Sequence, residues 1–234
     1  MLKKIWSNAF TECPDLEEIY IPANVTIIDN TAFRNCKKLS KITVDETNTT
    51  YNSGSGSNAI ISNNKLILGC VNTVIPDSVT SIGGYAFNGS NITSISLGDN
   101  ITSIRQMAFQ DCENLKSVTM KDSVVSIGRQ VFTGCINLES ITLSNGLSEI
   151  PQFAFSDCDK LMSITIPSKV STIASSVFSY CSSLTEVIFE NTEGWAICAN
   201  ASATSGDSIN VENPSTNATN LTGTYRLKYW KRFA

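Results

Sequence analysis

The sequence of 234 residues contains no histidine. That absence removes the commonest general base, the usual nitrogen ligand of zinc and every histidine-dependent triad. Charge is sparse as well: 17 Lys+Arg and 21 Asp+Glu make up 16% of the chain and leave a net charge of −4. An electrostatic grip on nucleic acid or on an anionic membrane is therefore not expected. No apolar run approaches the ~18 residues that span a bilayer, so membrane insertion is not expected either. "MLKKIWSNAF" carries two lysines but no apolar h-region, so the chain shows no secretion signal. Among eight cysteines none stands in a C-x-x-C pair, the ligand spacing of structural zinc sites. Carboxylates, lysine and cysteine are the residue types left for catalysis.

Ser, Thr and Asn take the place of the missing charge, and they recur on a period. Aligning on the isoleucine ahead of each Ala-Phe or its equivalent gives Ile5, Ile28, Ile82, Ile104, Ile127, Ile150 and Ile173. The separations are 23, 54, 22, 23, 23 and 23 residues. A period in the twenties marks a solenoid. The unit reads I-x-x-x-A-F-x-x-C-x-x-L-x-x-I-x-I-P-x-x-V-x-x. Its I-x-I alternation is a strand with one face inward. Ile104, Ala108, Phe109 and Cys112 fall on one side of a helical wheel, which predicts a short helical turn. One strand and one turn cannot bury their own apolar sides, so the coils must stack. The expected class is an α/β repeat: a curved solenoid with a parallel sheet on its concave side and bulkier helical turns on its convex side.

"SNAFTECPDLEEIYIP", "AFSDCDKLMSITIP" and "SIGGYAF" resemble the leucine-rich repeats of the BspA-like, or Treponema pallidum, type, over roughly residues 5–190. The resemblance implies a right-handed leucine-rich-repeat solenoid. It also implies a secreted or surface-displayed protein of a bacterium or protozoan, since several members resemble adhesins for host or microbial partners. An extracellular or cell-surface location is the corresponding expectation.

The repeat is not uniform. The 54-residue gap fits one irregular coil plus a loop over residues 45–75. "DETNTTYNSGSGSN" reads as an exposed excursion. It lacks the phosphate-loop pattern G-x-x-x-x-G-K-[ST]. Asn63-Asn64, between two β-rich runs, signals a hairpin expected to project from the solenoid. After Phe189 the period stops, so residues 1–190 read as repeats and 191–234 as a C-terminal cap. Tyr225, Leu227 and Tyr229 alternate as in a closing strand, with Lys228, Lys231 and Arg232 discouraging edge pairing. No comparable cap precedes Ile5, and the expectation is that upstream sequence has been trimmed.

Cys13, Cys36, Cys112, Cys135, Cys158 and Cys181 share one slot, which Ser90 fills in the coil of Ile82. Cβ vectors of stacked equivalent positions run parallel at about 5 Å, outside the ~3.5–4.5 Å of disulfides. The slot is therefore read as buried packing by free thiols; Cys70 and Cys198 stand off the ladder.

Between the two apolar strand positions lie Tyr20, Thr43, Ser96, Thr119, Thr142, Thr165 and Ile188, an outward row on the concave sheet. Met162 and the charged Glu17, Glu18, Lys41, Lys116, Lys121, Glu139 and Glu186 flank it. The row reads first as a β-propensity ladder with cross-strand packing and, as the functional alternative, as a flat hydroxyl-rich floor for a protein or glycan. No convergent carboxylate pair of the glycosidase kind is evident. The expected function is a non-catalytic protein-interaction or adhesion module, without cofactor or metal, binding a protein or glycan through the concave face and acting as a monomer. The rival readings are a spacer that displays another domain and, further off, a hydrolase of glycans or peptides.

Overall fold

Each repeat passes through β-structure twice. In the computed structural model, which describes residues 2–54 and 56–233, the I-x-I segments are front strands. They run Glu18–Ile21, Lys41–Val44, Ser94–Ser96, Ser117–Thr119, Ser140–Thr142, Ser163–Ile166 and Glu186–Phe189. Period-2 alternation turns Val118, Ile164 and Val187 into the core and the residues on either side of them out to solvent. All front pairings are parallel and in register, from Tyr20↔Thr43 through Ser96↔Thr119↔Thr142 to Thr165↔Ile188. The repeat isoleucines lie in a second, rear set of two-residue strands, such as Ser103–Ile104 and Ser126–Ile127, also paired in parallel. Two residues are too few to show alternation, which is why the sequence pattern reveals one strand per unit and the structure has two.

The helical turns expected on the convex side are absent. Between rear and front strands each coil makes a run of tight turns, and the helical residues among those described, the α-helix Pro214–Thr219 and the π-helical turn Asn220–Thr224 that follows it, lie outside the repeats. Hydrogen bonding explains the difference. Ala108, Gln110 and Cys112 donate their N–H groups back three residues, to Arg105, Met107 and Phe109. Met107, Phe109 and Asp111 donate theirs to Arg129, Val131 and Thr133 of the next coil, at 2.8–3.0 Å. A helix would consume every donor internally; here every second one ties coil to coil. The alternation requires left-handed residues, and Met107 (φ 56°) and Asp111 (φ 59°) supply them. The residue before the cysteine slot is Asn35, Gly89, Asp111, Gly134 and Asp157 in five coils, types that tolerate this conformation, while Glu12 (φ 58°) and Tyr180 (φ 62°) adopt it in the two coils at the ends of the set.

Stacking aligns identical residues. Phe87, Phe109, Phe132, Phe155 and Phe178 form a column of near-parallel rings with centroids 5.2–5.8 Å apart, and Phe10 and Phe33 form a shorter one at 5.1 Å. The thiols behave less like inert packing than the sequence suggests. Cys36, Cys112, Cys135, Cys158 and Cys181 each donate Sγ–H to the carbonyl of the preceding coil's phenylalanine, at 2.9–3.3 Å. All eight cysteines are free. Burial pushes the Cys36 thiol up to about 11, Cys181 up to about 12, and Cys112 and Cys158 well above the usual thiol value. Cys13 departs from its set: it is half-exposed. Native protein treated with a thiol reagent near pH 8 is therefore expected to label Cys13 and spare the buried five until denaturant is added. Rapid native labelling of Cys135 would refute this packing. Cys135→Ser, which keeps a donor in the slot, is expected to cost about 1 kcal/mol.

The irregular coil differs from its sequence reading. Asn63 and Asn64 both adopt left-handed φ (50° and 59°), so the hairpin of Ala59–Ser62 and Lys65–Gly69 forms as expected. It does not project. Lys65 and Leu66 pair in parallel with Ser81 and Ile82, which builds the hairpin into the rear sheet. Its side chains divide the core in two. Ala59, Ile61 and Leu66 face the cluster of the later coils, while Ile60, Leu68 and Cys70 face that of the first two. The run before it is anchored rather than free: Tyr51 is buried and accepts a hydrogen bond from the Ile28 N–H, and Asn52 bridges Ile61. Outside the hairpin the turn column is continuous, because Asn35 donates directly to the Asn88 carbonyl at 3.1 Å.

Past Phe189 the chain turns antiparallel. Tyr229–Arg232 pairs with Thr172–Ile173 on one side and Trp195–Cys198 on the other, so Lys231 sits in a central strand rather than guarding an edge. The strand begins at Tyr229; Tyr225 and Leu227 lie in the turn before it. Trp230, fully buried, stacks on Phe189. The buried Asn217 amide donates to the Val187 carbonyl at 2.9 Å, taking the role that a further front strand would play. Cys198 is buried within this sheet.

Candidate functional site

The front strands present two outward columns, of which the sequence analysis singled out one. In that column Tyr20, Thr43, Ser96, Thr119, Thr142, Thr165 and Ile188 are all exposed. Tyr20 and Ile188 stand at its two ends with large apolar surfaces open, and Met162, at the start of its front segment, is 61% exposed. Tyr20 donates its hydroxyl to Asp45, which raises the Tyr20 phenol, and the Asp45 carboxyl is lowered first by the Thr47 hydroxyl and then by Tyr20. The second column lies two residues back along each strand: Glu18, Lys41, Ser94, Ser117, Ser140, Ser163 and Glu186. Its charged ends were noticed in the sequence, and Lys41 does pair with Glu18 at 3.1 Å. Its four serines were not. The signal was available, since Ser precedes the buried strand residue in four coils and period 2 sends it to the same face as the Thr row.

Together the four central coils expose Ser94 and Ser96, Ser117 and Thr119, Ser140 and Thr142, Ser163 and Thr165. The first three pairs are in ladder register, and Ser163–Ile166 packs beside Ser140–Thr142. Among the described residues none of these hydroxyls has a hydrogen-bond partner within the protein. Hydroxyls elsewhere in the same coils are engaged: Thr102 donates to Thr80 O, Thr133 to Phe153 O and Ser171 to Ser148 O. The front array is thus a neutral grid of free donors and acceptors on a hydrogen-bonded backbone. The columns do not run unbroken: between Thr43 and Ser96 the hairpin coil intervenes, with Val71 donating to Leu39 O.

The pockets lie elsewhere. A crevice at the seam between the first two coils and the later ones is lined by Glu12, Asn35, Lys37, Asp111 and Glu113. Lys37 is paired with Glu113 across it at 3.0 Å. Burial first, then the Glu113 charge, raises the Asp111 carboxyl. A cavity of about 640 Å³ opens on the closing sheet between Trp195, Gly206 and Phe233. No group of three or more Cys, Asp or Glu side chains among the described residues is placed to hold a metal ion. No helix among them is long and apolar enough to cross a membrane.

The family of BspA type leucine rich repeat regions matches with six copies over residues 3–71, 64–185 and 102–214. No curated protein matches the chain. Among solved structures, a leucine-rich repeat protein of Eubacterium ventriosum superposes with a TM-score of 0.67 at 24% identity, covering 74% of this chain and 48% of that one. A leucine rich cell surface protein of Faecalibacterium prausnitzii gives 0.54 at 25% identity, covering 76% and 49%. The T. pallidum leucine rich repeat protein gives 0.50 at 22% identity, covering 78% and 72%. The chain thus spans about half the length of the first two. The coil pattern, the parallel ladders and the six matched copies agree, and the chain belongs to the BspA-type leucine-rich repeat family.

Proposed function

We propose that the protein is a non-catalytic interaction module of a cell-surface or secreted bacterial protein, and that it binds a protein or glycan through the concave, front face. The observation that carries this reading is the grid of exposed, unpartnered hydroxyls held in register by the parallel ladder. A repeat keeps its core positions alike, so information specific to a ligand resides where copies face solvent, and a rigid sheet lowers the ordering cost of binding. In this reading the coils wind in the right-handed sense that parallel crossovers follow. The Faecalibacterium structure, described as a cell surface protein, supports the location.

The test uses the protein and a partner identified in a screen of extracellular proteins and glycans. Replacing Thr119, Thr142 and Thr165 together by Lys is expected to leave the fold intact and abolish binding. A triple Ala variant, which removes hydroxyls without stacking like charges across strands, separates loss of binding from loss of fold. Undiminished binding by both variants would overturn the front-face reading. A front face that binds nothing in the screen favours the spacer reading.

A further inference from the structure

The chemistry of the front grid narrows the partner, given the front-face reading above. We propose that the four coils from Ser94–Ser96 to Ser163–Ile166 bind a neutral, linear, hydroxyl-rich polysaccharide laid across the strands along the stacking direction. Three features of the grid converge on that class.

The first is charge. No residue of the grid is ionisable, and the nearest flanking groups nearly cancel: Lys116 and Lys121 against Asp99, Glu139 and the Glu186 that pairs with Ser163, or +2 − 3 = −1, with Lys121 and Asp99 3.6 Å apart. A polyanion finds no field to follow, and a neutral polymer loses no ionic hydration on docking. The second is the kind of contact on offer. The grid contains no Trp, Tyr or Arg, the residues that concentrate binding energy at protein interfaces. Its hydroxyls each offer one donor and two acceptors, which matches the hydroxyl groups of a sugar. Each contact is weak, so a usable affinity requires many equivalent contacts at once, as a repeating polymer provides.

The third is spacing. Coils repeat about every 4.8 Å along the stack, and the two hydroxyl columns lie about 6.7 Å apart along the strands. One extended hexopyranose unit spans about one coil, so a linear chain laid across the coils meets a fresh pair of hydroxyls with each sugar. The hydroxyls need not abandon internal bonds to make these contacts, because they have none.

Intact protein is co-sedimented with microcrystalline cellulose, chitin and insoluble β-1,3-glucan, with immobilised heparin as the polyanion control. Retention on at least one neutral polysaccharide is expected, changing less than about twofold between about 0.1 and 1 M salt. Ser94→Lys combined with Ser140→Lys, two strands apart so that the new charges do not stand directly opposite each other, is expected to lower that retention at least about tenfold with an unchanged unfolding midpoint. Retention on none of the neutral polymers overturns the proposal, as does retention on heparin alone that salt abolishes. If those polymers are ignored while a protein partner is lost on replacing Thr119, Thr142 and Thr165, the polysaccharide assignment fails and the front-face reading stands. If a polymer is retained equally by the serine and threonine variants, both fail.

Discussion

Phe132→Ala is expected to cost about 3–5 kcal/mol, the range for emptying a fully buried aromatic site. For a chain of this length that is a fall of roughly 6–20 °C in the unfolding midpoint. Phe132 is wholly inaccessible and sits between two rings, 5.3 Å from Phe109 and 5.8 Å from Phe155. The cavity left by the ring cannot close along the stack, because the Phe132 N–H is bonded to Ala154 O and the Phe109 N–H to Val131 O. Those ladders set the coil spacing whatever the side chain. A ring at the end of a column is the internal control. Phe10 is half-buried and stacks on one side, against Phe33, so Phe10→Ala is expected to cost about half as much or less. Denaturant titration of both variants measures the difference. Equal losses would mean that the column does not stabilise by two-sided stacking.

Gly69→Ala is expected to destabilise by about 2–3 kcal/mol, a large effect for one added methyl group. Gly69 ends the hairpin at the point where the phenylalanine column is interrupted, between Phe33 and Phe87. A Cβ there would overlap Phe87 Cε1 and Cζ and lie 2.9 Å from Cδ1. The ring has no retreat, since it is buried and stacks 5.2 Å from Phe109. The backbone has none either, because the Gly69 N–H is bonded to Ala86 O at 2.8 Å. Glycine thus stands where a regular coil would place another ring. Phe87→Leu destabilises on its own account by shrinking a core ring, yet it relieves the clash. The double variant is therefore expected to cost less than the two singles added, by a coupling within the ~0.5–3 kcal/mol seen for residues in contact. Strict additivity would show that Gly69 and Phe87 do not pack together.

Those two sites mark the boundary between what a linear pattern can and cannot express. The column containing Phe132 was legible: seven isoleucines, most of them 22 or 23 residues apart, each followed at constant offsets by Ala or Val and then Phe, can bury their apolar sides only by stacking. The outward Thr row followed from the same periodicity, because side chains two apart in a strand share a face whatever the neighbours do. Gly69 belonged to no period, and its role depends on a ring 18 positions away that only the folded hairpin brings against it.

The same division explains the remaining differences. Offsets of 0, 4, 5 and 8 suit a helical face and a run of tight turns equally. The choice between them rests on where alternate N–H groups find acceptors, and those acceptors lie one coil away. The hairpin could be recognised from Asn63-Asn64, but whether it projected or wedged between two cores depended on Ser81 and Ile82 pairing with Lys65 and Leu66. Burial of the cysteine slot was readable from composition and spacing; that each thiol donates to a phenylalanine carbonyl of the coil before it was not, since a hydrogen bond needs two positions that sequence separates by 25 or 26 residues. The hydroxyls of the front grid were visible as residues, whereas their freedom was a property of everything around them. Sequence periodicity determined which side chains point inward, because that follows from local backbone geometry. Tertiary structure alone decided which polar groups are satisfied, because satisfaction depends on distances between coils.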